Sequence, residues 1–96
     1  TDDGGTALHQ ATAGNHRDVV LILLERGADI NARRLDGSTC LHLAAARGLL
    51  ALLRLLISRG ADPSLIDLRG NTARKAAQLC NQPNAEVLLT EAAADV

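Results

Sequence analysis

The chain contains no phenylalanine, tyrosine, tryptophan or methionine, and its 96 residues include only two prolines and two cysteines. Without aromatic rings there is no platform for stacking nucleic-acid bases, which disfavours sequence-tolerant single-strand binding. A formal net charge of −1 supplies no global attraction for nucleic acid or an anionic membrane, so neither is expected as a partner. Cys40 and Cys80 do not make a disulfide framework, and a reduced intracellular setting, cytoplasmic or nuclear, is the simpler expectation. No signal-peptide pattern stands at the start, and no methionine precedes Thr1, as in a processed chain or an excised domain. The longest apolar run, Leu49 to Ile57, is broken by Arg54 and falls far short of the roughly 20 residues that cross a bilayer. It reads as a buried core helix.

What is present is aliphatic and periodic. Apolar residues make up 47% of the chain, so a core must be built from Leu, Ile, Val and Ala, which suits thin layers of closely packed helices. The length suffices for one compact domain, residues 1–96. Sliding the sequence by 33 residues aligns Gly4, Gly37 and Gly70, then Thr6, Thr39 and Thr72, then Ala11, Ala44 and Ala77. The pairs Leu8/Leu41, His9/His42, Leu23/Leu56, Gly27/Gly60, Ala28/Ala61 and Asp29/Asp62 share that offset. A fixed period of this length marks a stacked repeat array, here with units of about 1–33, 34–66 and 67–96.

Each unit reads as two helices. In the first, Gly4 suits a tight turn, Thr6 an N-cap, and Ala7 to Ala13 a short helix of small residues. A turn at Asn15–His16 leads to a second helix from about His16 to Arg26, its apolar residues at 3–4 spacing. Gly27 fits the left-handed position beyond it, and Ala28 to Arg34 runs extended. The second unit repeats this with Thr39 as cap, helices over Cys40–Arg47 and Leu49–Arg59, a turn at Gly48 and a stop at Gly60. In the third, Thr72 caps a helix to about Cys80, a turn follows at Asn81–Gln82, and Pro83 opens a helix to about Glu91. The tail from Ala92 to Val96 is expected to fray.

The pattern Gly-x-Thr-x-Leu-His-x-Ala, an apolar helix, then Gly-Ala-Asp resembles the ankyrin repeat family. It reads GGTALHQA…VVLILLERGADINA in the first unit and GSTCLHLA…LLRLLISRGADPS in the second. The third departs, with Arg74 and Lys75 in place of Leu-His and no Gly-Ala-Asp. The resemblance implies an all-α solenoid of helix-turn-helix repeats joined by short β-hairpin-like loops. It also implies that His9 and His42 tie neighbouring repeats together instead of serving catalysis or a metal. Neither a nucleophile–base motif, a phosphate loop nor metal-ligand spacing is visible, so no enzyme activity, metal or cofactor is expected. Cys40 aligns with Ala7 and Ala73 as a small packing residue; Cys80, ending a helix, is expected to be more exposed. Leu23, Asp29, Ile30 and Asn31 match the arrangement on which the ankyrin-modifying asparaginyl hydroxylase acts, which makes Asn31 a candidate for modification; a turn asparagine is the simpler alternative.

The outer units differ from the middle one. Gln10, Thr12 and Arg17 replace Leu43, Ala45 and Leu50, while Arg74, Lys75, Glu86 and Thr90 replace Leu41, His42, Leu53 and Ile57. Terminal repeats must wet one face, so a self-contained three-repeat monomer with two divergent caps is expected. Excision from a longer array would instead leave a bare apolar N-terminal face.

The resemblance implies a scaffold that binds a protein partner through the loop tips and the ends of the first helices. By position, the tips are Asp2, Asp3 and Gly5; Arg33, Leu35, Asp36 and Ser38; and Ile66, Leu68, Arg69 and Asn71. The helix ends add Ala13, Gly14, Ala46, Arg47, Leu79 and Cys80. Leu35, Leu65, Ile66 and Leu68 are expected to offer an apolar row, beside Arg33, Arg34, Arg47, Arg69 and Arg74. That pairing suits an acidic-hydrophobic peptide, with Arg forking to carboxylates. The alternative role is a regulatory or targeting domain of a larger enzyme or signalling protein.

Overall fold

The computed structural model describes residues 3–34 and 37–94, with side chains over 7–34 and 37–91. Six helices follow one another: α1 (Asp3–Ala13), α2 (Arg17–Glu25), α3 (Cys40–Arg47), α4 (Leu50–Ser58), α5 (Ala73–Leu79) and α6 (Pro83–Ala94). They form three pairs, α1 with α2, α3 with α4 and α5 with α6, and the inner helices α1, α3 and α5 stack in turn. The protein is an all-α repeat stack. No strand occurs among the described residues, and the connections between pairs are turns.

The repeated sequence signals act locally as the physics requires. Thr39 takes an extended backbone conformation, and its hydroxyl accepts the His42 N–H at 3.4 Å. The Thr39 N–H donates in return to His42 Nδ1 at 3.2 Å, a reciprocal cap that satisfies two otherwise orphan donors. Thr72 caps α5 by accepting the Lys75 N–H. At the other end of the outer helices, Gly27 and Gly60 have φ of +93° and +97°. The following amides of Ala28 and Ala61 reach back to the carbonyls of Leu23 and Leu56, closing both helices in a Schellman motif. Within each pair the turn residue is Asn15, Gly48 or Asn81, all left-handed; asparagine tolerates that conformation better than other non-glycine residues.

Two boundaries depart from expectation. The first helix begins at Asp3, so Gly4 is helical and Thr6 lies inside α1 instead of capping it. Thr39 and Thr72 are held extended by loops closed through Arg34 N–H to Ser38 O and Asp67 N–H to Asn71 O. The last helix continues to Ala94, where the Ala-rich stretch after Glu91 has high helix propensity.

The core is one layer of aliphatic side chains between stacked pairs. Leu8, Val20, Leu41, Leu52, Leu53, Leu56 and Leu89 are buried, and Ala44, Ala45 and Ala77 let the inner helices approach closely. The apolar run therefore is a core helix: Leu52, Leu53 and Leu56 of α4 face inward. Among the described residues no helix is long and apolar enough to cross a membrane. Cys40 is buried, and burial pushes its thiol up to about 11 despite a hydrogen bond with Thr12. Cys80 is exposed.

The caps expected at the two ends are not alike. Arg74, Lys75 and Thr90 are exposed on the third unit. On the first unit Gln10 and Arg17 are exposed, but Thr12 is fully buried, its hydroxyl back-bonded to the Leu8 carbonyl at 2.8 Å. Val19 and Ile22 are exposed instead. The first pair thus keeps an apolar outer face, contrary to the expectation of two wetted ends.

The histidines bridge neighbouring units. His9 Nε2 lies 3.1 Å from the Ser38 carbonyl, and His42 Nε2 lies 2.7 Å from the Asn71 carbonyl, both rings being buried. Because Nδ1 of His42 accepts from Thr39, the proton sits on Nε2 and is donated to Asn71. His42→Ala removes both the reciprocal cap and the bridge, and is expected to destabilise the protein by about 2 kcal/mol in urea unfolding. Lys75→Ala, at the same repeat position on the exposed end, should change stability by less than about 0.5 kcal/mol.

Candidate functional site

The loops before α3 and α5 close through equivalent bonds, Arg34 N–H to Ser38 O and Asp67 N–H to Asn71 O, and they touch. Gly37 has φ of +82°, and a side chain there would meet the Leu68 amide nitrogen at 2.7 Å. Glycine at 37 therefore serves both its own turn and the close approach of the next tip. In that tip the Asp67 carboxylate accepts from the Arg69 and Asn71 amides at 2.9 and 3.0 Å. The Asn71 amide, with a smaller contribution from the Arg69 amide, holds the Asp67 carboxyl below its ordinary 3.8 against the opposing effect of desolvation.

A second link lies nearer the outer helices. Asp29 and Asp62 each fold a turn by accepting the amide two residues on, from Asn31 and Ser64 at 2.9 Å. The Asn31 side-chain oxygen then accepts the Asp62 N–H of the next unit at 2.9 Å. Asn31 is partly buried in this position. The Ser64 hydroxyl turns back to its own Asp62 at 2.6 Å, which together with the Ser64 amide lowers the Asp62 carboxyl below its ordinary value.

On this frame the expected binding residues separate into two groups. Arg33, Ile66, Leu68 and Arg69 are exposed at the tips, Ile66 by 47% and Leu68 by 77%. Arg47 is exposed in the last turn of α3, at the far end of a helix about 12 Å long. It does not cluster with the tip arginines. Leu79, exposed by 63% at the end of α5, and Cys80 lie at the corresponding end of the next inner helix. Ser38 is only 7% exposed, and its carbonyl faces His9. Asn71 is half-buried, with its backbone committed to Asp67 and His42. These two residues shape the tips, and little of either can meet a partner. Leu65 is half-buried. Leu35 and Asp36 lie outside the described residues, as does Asp2.

Sequence reasoning named Leu79 only as a helix end. It missed Val19 and Ile22, which the 3–4 spacing of α2 presents as core. Among the described residues no three His, Cys, Asp or Glu side chains gather as a metal site.

A family model described as ankyrin repeats (many copies) matches residues 8–57. A search of curated proteins gives no match.

The charge on Asp67 should be visible in the pH dependence of stability. A carboxyl depressed on folding contributes stability that is present above its unfolded value of 3.8 and is lost as pH falls through the lower folded value. The urea midpoint of the wild type is expected to exceed that of Asp67→Asn at neutral pH, and the gap to close as pH falls below 3.8.

Proposed function

Because the chain belongs to the ankyrin repeat family, whose members are generally protein-interaction modules, we propose that it is a non-catalytic module binding a partner protein or peptide. The binding surface runs from the loop tips, with Arg33, Ile66, Leu68 and Arg69, to Arg47 and Leu79 at the far ends of the inner helices. The observation that carries this reading is Leu68: a large apolar side chain, 77% exposed, held out by a backbone tied down through Asp67 and Gly37. An ordered tip avoids the entropy of ordering a loop on binding. Leu35 and Asp36 extend the same surface by position.

The fitting partner is an acidic-hydrophobic segment, its aliphatic groups on Leu68 and Ile66 and its carboxylates toward Arg69 and Arg47. Unpaired cysteines support an intracellular setting. As a regulatory or targeting domain of a larger enzyme or signalling protein, the chain would use the same surface. Peptide-display selection followed by direct titration is expected to return sequences mixing Asp or Glu with Leu, Ile or Phe. The double charge reversal Arg47→Glu, Arg69→Glu should weaken them at least tenfold, about 1.4 kcal/mol, without changing the unfolding midpoint. Unchanged affinity would remove the basic residues from the site.

Asn31 is proposed as a substrate of the asparaginyl hydroxylase that acts on ankyrin repeats. Its bond to the Asp62 amide must open for the enzyme to reach it, so modification competes with folding. Incubation with the hydroxylase should add one oxygen at Asn31 by peptide mass spectrometry, and more of it in the destabilised His42→Ala protein. Absence of the added oxygen in both proteins would reject the assignment.

A further inference from the structure

We propose that Ser64 is a phosphate-acceptor site for an acidophilic serine kinase, and that the phosphate opens its turn and sets a negative charge beside the neighbouring loop tip. Of the chain's nine serines and threonines, Ser64 is the one followed three residues later by a carboxylate, Asp67, and a second carboxylate, Asp62, stands two residues before it. Carboxylates on both sides of a serine are what the basic substrate groove of such a kinase pairs with. The fold selects the same residue. Thr12, Ser38 and Thr39 are buried, and Thr72 caps α5. Ser58 and Thr90 are exposed but helical, their hydroxyls donating to the Leu55 and Glu86 carbonyls at 2.7 and 2.8 Å. Among the described hydroxyl residues, Ser64 alone is exposed and outside a helix. Its turn closes through a long backbone bond, Leu65 N–H to the Asp62 carbonyl at 3.5 Å, so the segment can open locally into the extended form a kinase binds.

In the transfer, the Ser64 oxygen attacks the γ-phosphorus of ATP. The new O–P bond forms as the bond to the bridging oxygen of ADP breaks, and the hydroxyl proton leaves through the kinase's base. The consequence follows from what that proton holds in place. The Ser64 hydroxyl donates to Asp62 Oδ1 at 2.6 Å, and the same oxygen accepts the Ser64 amide at 2.9 Å. A phosphate monoester carries a charge of about −1.5 to −2 and offers that carboxylate no donor in its ionised form, so an attraction at the centre of the turn becomes a repulsion. The Asp62 amide is the group held by Asn31 of the first unit, so the repulsion bears on a link between units. The phosphate also lies two residues from Ile66 and four from Leu68, both exposed. On the reading of this tip as the seat of an acidic-hydrophobic segment, on which this last consequence rests, it repels the segment's carboxylates.

The complete chain is incubated with magnesium–ATP and an acidophilic serine kinase that requires a carboxylate three residues after serine, and the product is mapped by peptide mass spectrometry. One phosphate is expected, on Ser64, and none in Ser64→Ala. Asp67→Asn should slow incorporation at least about tenfold although it loosens the loop, whereas Asp67→Glu, which keeps the carboxylate, should stay within about threefold of wild type. A purely structural effect of Asp67→Asn would speed the modification instead. Phosphorylation should lower the unfolding temperature by about 2–4 °C and weaken a selected acidic-hydrophobic peptide at least about threefold. Absence of phosphate from Ser64, preferential phosphate on Ser58 or Thr90, or equal rates for wild type and Asp67→Asn would overturn the acceptor assignment. An unchanged unfolding temperature together with unchanged peptide affinity would overturn the effect of the phosphate. Failure of the unmodified chain to bind any such peptide would count against the binding surface alone, because incorporation and unfolding are read without a partner.

Discussion

A pair of short helices has more apolar surface than its own two members can bury, and everything else in this protein follows from that constraint. Without aromatic side chains no thick core is possible. Each layer is a single sheet of Leu, Val and Ala between one pair and the next, so Leu53 and Leu56 owe their burial to neighbouring pairs as well as their own. Close approach of the inner helices needs the alanines at 44, 45 and 77. It also brings the ring nitrogens of His9 and His42 within hydrogen-bonding distance of the next unit's carbonyls. Apolar contact drives the stacking, and the histidines set its register.

The same register organises the surface. Once the inner helices are stacked, their N-terminal turns align the loop tips side by side, close enough that Gly37 cannot carry a side chain. The Asp67–Asn71 tip holds its shape through carboxylate–amide bonds at Asp67, and Asn31 joins the first unit to the second along the outer side. A large apolar residue such as Leu68 is then displayed by an ordered loop, an arrangement that favours binding by cutting its entropic cost. The exposed arginines are spread between the tips and the far end of α3.

The two ends of the stack are not alike. The third unit exposes the polar residues Arg74, Lys75 and Thr90. The first unit has exposed Gln10 and Arg17 yet leaves Val19 and Ile22 open. The buried Thr12 shows how position-by-position comparison can mislead. A hydroxyl that bonds its own helix carbonyl is satisfied within the core, so a polar residue there does not mark a wet face.

Much of the fold was legible in the residues alone, because its determinants are local. The 33-residue period, the Thr caps, the left-handed Gly and Asn positions and the helix-period aliphatics act through neighbours a few residues away, and they specified six helices in three pairs. The bridging role of the histidines was legible through the resemblance, since the same residue recurs at the same place in successive units. Which tip residues face outward was not legible: Ser38 and Leu68 both belong to tips, yet one is buried and the other exposed, and that depends on the packing of one loop against the next. Nor was the start of α1 at Asp3. The open outer face of α2 was equally hidden. Spacing determines which side of a helix is apolar, but only tertiary structure decides whether a neighbour covers it, since burial belongs to pairs of elements and not to either sequence alone.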